Sequence, residues 1–370
     1  MEATKKATRD YLSYSETPWD LWEVIYGRRS HRKYIPFELD KELIQSLENQ
    51  IDLAVSVRGA EADTIRLITE SGTVDEMKKR ANKGGLQNKV NLWLPRTPMS
   101  AFLALIIPSK DVESDRPQQL PPTIMASEDI ILWLTENGLG TCWLSGIDQA
   151  EIRDVLGLGE EMAIIAIISI GKPKQGIGGA NFDHMLYRTI SKRRKPLSRI
   201  AYMESMDHPY RPGDLRREPF SAAPVQDVTG LLKQIADATP DGGDAPVELI
   251  IDACLEAARV GPNACNLQAW YFVAVKEEDR LRELEESCED AGGWRAAVVG
   301  AGPPGGFDTM VFERPFWMID IPIALSHMSL MAASMGCEVK VHINGIDEKA
   351  VNKLVGLPPR LRTVGVLGIK

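Results

Sequence analysis

Nine residues from Tyr26 to Tyr34, YGRRSHRKY, hold five basic or potentially basic side chains: Arg28, Arg29, His31, Arg32 and Lys33. Guanidinium groups are forked donors suited to bidentate recognition. The chain around them is acidic: over 370 residues, 43 Lys and Arg face 52 Asp and Glu, a formal net charge of -9. That balance argues against a general affinity for nucleic acid and leaves room for a local basic site. Nothing like this cluster stands at the corresponding place in the second half of the chain.

Other reactive side chains form no comparable pattern. Cys142, Cys254, Cys265, Cys288 and Cys337 are widely separated, without a CxxC pair, and an odd number of cysteines does not suggest a disulfide framework. They are expected as buried or semi-buried thiols in a reducing compartment. There are five histidines and no HExxH, so neither a structural nor a catalytic metal site is expected. No GxGxxG lies in a strand–turn–helix setting, which gives no indication of a Rossmann nicotinamide domain. The N-terminal MEATKKATRD has no apolar run, so no signal peptide is expected. Apolar runs such as Phe102–Ile107 and Met162–Ile170 are too short to span a bilayer and read as buried strands. The expected location is the cytoplasm.

The elements that must position these residues follow a repeated plan. Asp40–Val57 has helical apolar spacing with Asp40 as N-cap. A polar segment at 82–87 follows, then SAFLALIIPSK as a central strand. Asp129–Asn137 reads as a helix ending at the Gly138/Gly140 pair, Asp148–Leu156 as a short helix, and EMAIIAIISIGKP as a buried strand. In the second half, DAPVELIIDACLEAARV is a helix starting near Asp244, WRAAVVGAG a strand, and PIALSHMSLMAASMG a helix ending at Gly336. The Gly-Ile-Asp of Gly146–Asp148 recurs at Gly345–Asp347, and Leu156–Leu158 is mirrored by Val355–Leu357, about two hundred residues apart each time. We read this as an internal duplication. Between the halves, residues 187–238 form a Pro/Arg-rich crossing segment, with a helix from Val225 to Ala236 beginning the second unit. The expected units are 1–200 and 201–370, packed as one intimate body.

At this point the motifs resemble those of the FMN-dependent nitroreductase superfamily, in a fused form carrying two copies of the fold. Arg28-Arg29-Ser30-His31-Arg32-Lys33-Tyr34 resembles the opening RRSxRxF pattern. Gly138-Leu139-Gly140-Thr141-Cys142-Trp143, with Ser145-Gly146 after it, resembles the flavin-facing loop. Arg193-Arg194-Lys195-Pro196-Leu197 resembles the basic finish, and Gly261–Phe272 (GPNACNLQAWYF) the PSxxNxQPWxF segment. The resemblance covers most of residues 20–197 and, more loosely, 245–370. It implies an α+β fold duplicated in one chain, with central, mostly antiparallel sheets flanked by helices.

It also implies roles. Arg28 and Arg32 would hold phosphate or ribityl oxygens of FMN, Ser30 would hydrogen-bond nearby, and Arg29 would lie beside the flavin. Arg194, with Arg193 or Lys195, would complete the phosphate end. Pro262, Asn263, Ala264 and Asn266 would approach the ribityl chain and isoalloxazine edge, and Ser145 and Gly146 the N5 region. Asn263 stands where the family usually has serine, and Ala269 replaces its usual proline. Trp270 and Phe272 are expected in the core or an interface, Cys142 and Trp143 in structural roles, and His31 at the surface. Cys265 has no evident base beside it and is assigned no nucleophilic role.

Family members are homodimers with FMN at the subunit interface. Here the first half has the basic opening but reads RGAEADTIRLI where PSxxNxQPW should follow, while the second, degenerate half has PNACNLQAW but no RRSxR. One composite site and one FMN per chain are therefore expected, in a monomer, with a homodimer as the alternative. The implied function is hydride transfer from flavin N5 to a nitroaromatic, quinone or conjugated carbonyl acceptor, with NAD(P)H as donor. No catalytic side chain is assigned, because the flavin carries the chemistry. The alternatives are a ferredoxin-dependent reductase and a flavin-binding sensor, storage or flavin-modifying protein.

Overall fold

A computed structural model describes residues 21–81, 94–144, 146–174, 194–211, 227–239, 245–304 and 316–370. These fall into two compact units: one holds the described residues between 27 and 192, the other those of 21–26 and 194–370.

The first described elements are α1 (Leu21–Gly27), β1 (Tyr34–Ile35) and α2 (Lys41–Arg58). Helix α2 starts as its sequence dictates, with the Asp40 carboxylate accepting from Leu43 N, and it stops at Gly59 in the left-handed region. Next come β2 (Ile65–Ile68), α3 (Ser71–Arg80), β3 (Ala101–Pro108), the short α4 (Ser109–Val112) and α5 (Leu120–Glu136). The unit closes with β4 (Gly140–Leu144), α6 (Gln149–Leu156) and β5 (Met162–Pro173).

The sheet runs β1-β5-β3-β2, with β4 also on β5, and every pairing is antiparallel. Strands β3 and β5 are apolar without alternation because both faces are covered. Phe102, Ala104, Ile106 and Ile164 pack with Val74 and Met77 of α3 and Ile152 of α6. Helix α5 packs on the sheet and on α2, and it is buried along its length. Arg58 of α2 forms an ion pair with the fully buried Asp129 of α5 at 2.6 Å. Helix α5 begins nine residues before the expected Asp129. Pro121 and Pro122 sit in its first turn, where a missing N–H costs nothing, so the two prolines open the helix.

The second unit holds β6 (Ala201–Met203), α7 (Val228–Asp237), α8 (Val247–Val260), β7 (Tyr271–Val275), α9 (Glu278–Glu286) and β8 (Ala296–Gly302). It ends with α10 (Trp317–Ser334), β9 (Val339–His342), α11 (Glu348–Leu354) and β10 (Arg362–Ile369). Its sheet runs β6-β7-β8-β10-β9. Helix α7 is capped by Asp227, and α8 has Pro246 at its cap position; the expected starts at Val225 and Asp244 lie outside the described residues, as does the polar segment at 82–87. Strand β6 was not expected inside the crossing segment. It adds to β7 in parallel, pairing Ala201 with Phe272.

The plan β7-β8-β10-β9 repeats β2-β3-β5-β4 strand for strand. The recurring Gly-Ile-Asp has the same job in both: Asp148 accepts from Glu151 N and Asp347 from Ala350 N, each as an N-cap. Both helices are followed by a left-handed glycine, Gly157 and Gly356, with φ of 64° in each case. Residues so placed preserve a local geometry. No described helix is long and apolar enough to cross a membrane.

Candidate functional site

The basic segment leaves α1 and lies along β4. Ser30 bridges to Thr141, and His31 N donates to Thr141 O at 2.8 Å. This approach needs Gly140, where an added Cβ would stand 2.6 Å from Pro173 Cγ and 2.8 Å from the His31 ring. Tyr34 completes the seat by donating to His31 O at 2.8 Å. His31 is therefore buried, against the expectation of a surface residue, because its ring packs over Gly140. Burial first, then the Arg29, Arg28 and Arg32 charges, lower its pKa to about 3. It is a neutral packing residue at ordinary pH.

Arg28 is buried, with Nε 3.7 Å from Oε1 of Glu128, a fully buried residue of α5. Glu128 also accepts from Trp143 Nε1 at 3.2 Å. Nη1 of Arg28 is buried and makes no hydrogen bond. Arg29, Ser30 and Arg32 are half-buried. Arg29 Nη1 donates to Arg28 O and Arg32 Nη1 to Ser30 O, both at 3.2 Å. Gly146 is buried in the bend between β4 and α6; its neighbour Ser145 lies outside the described residues.

In the other unit, α8 runs into a turn of unusual backbone. Cys265, Asn266 and Gln268 have φ of 50°, 56° and 50°, a left-handed region that residues with a side chain seldom occupy. Hydrogen bonds impose it. Ala264 N donates to both oxygens of the buried Asp320 of α10, at 3.0 and 3.2 Å. Gln268 N donates to Asn263 Oδ1 at 2.9 Å, and the buried Gln268 side chain accepts from Lys195 N at 2.7 Å. Pro262 is buried; Asn263, Ala264 and Asn266 are half-buried. Cys265 is exposed, unlike the other four cysteines, because the turn points it outward. Desolvation of its thiol, then the Asp320 charge, raises its pKa, which keeps it protonated. Trp270 and Phe272 are fully buried, as expected of core residues. Arg194 donates to the carbonyls of Arg259, Val260 and Gly261, and Arg193 lies outside the described residues.

Residues 58–172 match the model of the nitroreductase family. An Archaeoglobus fulgidus protein, provisionally named NADH dehydrogenase/NAD(P)H nitroreductase, is 25% identical over 125 residues, covering 32% of this chain and 70% of the relative. The likeness to the nitroreductase family lies within residues 58–172 of this chain. Two solved structures are also similar. One, provisionally described as a nitroreductase, is from Thermotoga maritima, at 15% identity and TM-score 0.41 over 89% of this chain and 92% of that one. The other, an FMN-dependent nitroreductase from Clostridium difficile, has 22% identity and TM-score 0.33 over 45% of this chain and 94% of that one.

The nitroreductase match takes in β4 and Gly146 and leaves out the basic segment and the whole second unit. Within one unit, the segment carrying Arg28, Arg29, Ser30 and Arg32 is held to β4 through Ser30 and His31. Within the other, Arg194 binds the carbonyls of Arg259, Val260 and Gly261, which lead directly into Pro262–Asn266. Sequence reasoning missed Glu128, Gln268 and Asp320. Two of them carried a signal: Glu128 in IMASEDIILWL and Asp320 in WMIDIPIAL are carboxylates inside apolar helices, and a buried charge needs a partner. Among the described residues, no group of three or more His, Cys, Asp and Glu is placed to hold a metal ion.

Proposed function

We propose that this chain is an FMN-dependent oxidoreductase that passes reducing equivalents from NAD(P)H to an electron-poor small molecule such as a nitroaromatic, a quinone or a conjugated carbonyl. The observation that carries the reading is Arg28 Nη1, a guanidinium donor buried without a hydrogen bond at the head of a basic segment. Leaving such a donor unpaired costs about 1–3 kcal/mol, and an oxyanion or polar ligand edge would satisfy it. The residues present fit FMN on this ground. Arg28 and Arg32 would hold its phosphate or ribityl oxygens, with Ser30 and Arg29 close by. Ser145 and Gly146 would line the N5 side, and Pro262, Asn263, Ala264 and Asn266 the ribityl and ring edge; Arg193 remains assigned to the phosphate end.

When bound, FMN supplies the hydride chemistry. The protein's part is to bind and orient. The Gly140 approach and the Thr141 bonds fix the basic segment, and Asp320 fixes the amide of Ala264. The Archaeoglobus relative is named for both NADH and NAD(P)H, which supports a nicotinamide donor. A gene duplication accounts for the repeated strand order and caps, and each kind of motif occurs in one copy only, which supports one FMN per chain and a monomer.

The test is the spectrum of the purified protein reconstituted with FMN, followed under anaerobic conditions. NADH or NADPH should bleach the flavin absorbance, and a nitroaromatic or quinone should restore it. Failure to bind FMN sinks the reading. Bleaching by a reduced ferredoxin but by neither nicotinamide reassigns the donor, and bleaching that no acceptor reverses points to a flavin-binding protein of another class.

A further inference from the structure

We propose that Arg194 and Lys195 are a brace that sets the shape of the Gly261–Gln268 turn, and are not ligands of the flavin phosphate. The proposal deepens the flavin reading and rests on it. Arg194 Nη1 donates to Arg259 O at 2.9 Å and to Gly261 O at 2.7 Å, and Nη2 donates to Val260 O at 3.2 Å. These are carbonyls at the C-terminal end of α8, which the helix itself leaves without donors and which carry the negative end of its dipole. A guanidinium is the side chain best matched to them. Both N–H groups of Nη1 and one of Nη2 are thereby committed to carbonyls.

Lys195 holds the other foot of the turn. Its backbone N donates to Gln268 Oε1 at 2.7 Å, and its Nζ to Gln268 O at 2.8 Å. Two consecutive residues thus grip both ends of one segment. Within the gripped segment three residues other than glycine lie in the left-handed region, Cys265, Asn266 and Gln268. Such backbone persists only where the surroundings over-determine it, and here they do. Asp320 holds Ala264 N, and Asn263 Oδ1 holds Gln268 N. A basic dipeptide that reads as a phosphate grip is occupied in making a strained turn hold one shape.

Titrating the apoprotein with FMN and with riboflavin, which has no phosphate, separates the two roles. Arg194→Lys keeps the charge but loses the fork that spans three carbonyls. In Arg194→Lys and in Arg194→Ala both flavins should weaken by a common factor of about tenfold, leaving the preference for FMN over riboflavin unchanged. A loss confined to FMN, or no loss for either flavin, overturns the proposal. Amide hydrogen exchange without flavin gives an independent reading: the amides of Ala264 and Gln268 should exchange faster in both variants, and unchanged exchange overturns the brace. Should Arg194→Ala fail to fold, Arg194→Lys and Lys195→Met carry the same measurements. A wild-type protein that binds neither flavin defeats the flavin reading, while the exchange data still decide the brace.

Discussion

Arg28 is held between two demands. Its Nε faces the fully buried Glu128 carboxylate, while Nη1 is buried with no hydrogen bond. Arg28→Ala should therefore lower FMN affinity and also destabilise the protein by about 3 kcal/mol, because it strips Glu128 of its cation. Adding Glu128→Gln should restore the urea midpoint and leave FMN affinity low; recovery of both would take Arg28 out of the flavin site. His31 gives a pH signature. Its folded pKa of about 3 lies below the ordinary 6.5, so the unfolded chain takes up its proton first. The stability His31 lends is whole above pH 6.5 and is lost as pH falls toward 3, at up to about 1.4 kcal/mol per pH unit. His342, lowered to about 4 mainly by burial, adds to the same window. His31→Gln should flatten the slope of unfolding free energy between those limits, and an unchanged slope counts against a buried neutral imidazole. The basic cluster itself was legible from residue type. The burial of His31 was not, because three flanking arginines give it the look of a surface run, and only Gly140, over a hundred residues on, makes room for its ring.

At the scale of elements, glycines that look alike in sequence have different work. Gly140→Ala would press a Cβ against Pro173 and His31. It should cost about 1–3 kcal/mol and unseat the basic segment, so FMN affinity falls with stability. Gly157 also ends a repeated motif, with φ of 64° and open space around it. Gly157→Ala should cost about 1–2 kcal/mol of backbone strain and leave flavin binding alone. Thermal melts with parallel flavin titrations check the contrast; equal effects on FMN would mean that Gly140 acts through stability only. Strands β3 and β5 were legible because continuous apolar runs bounded by breakers have few other homes. The start of α5 was hidden by Pro121-Pro122, since a proline pair reads as a loop unless it opens a helix. The left-handed backbone at Cys265, Asn266 and Gln268 was hidden more deeply, because no glycine marks it and its causes sit at Lys195 and Asp320, far away in sequence.

For the molecule as a whole, the recurring tripeptide signalled a repeated strand order and repeated helix caps, which support the proposed duplication. Helix caps and their glycines tolerate little change, so they keep a repeat visible after the core residues between them have drifted. The proposed composite flavin site leads to a stoichiometric prediction. Titration with FMN should end at one equivalent per chain, and Asn266→Ala should weaken that single event; a second equivalent of similar affinity would mean that each copy binds on its own. The grouping of residues 21–26 with 194–370 has a further consequence. Tyr26 donates to the carboxylate of Glu256, 230 positions later. At a ribosomal pace of about 5–20 residues per second, α1 waits roughly 10–50 seconds for this partner to be made. A nascent chain therefore holds Tyr26 without its Glu256 partner for that interval, so this contact should close only after α8 has been made.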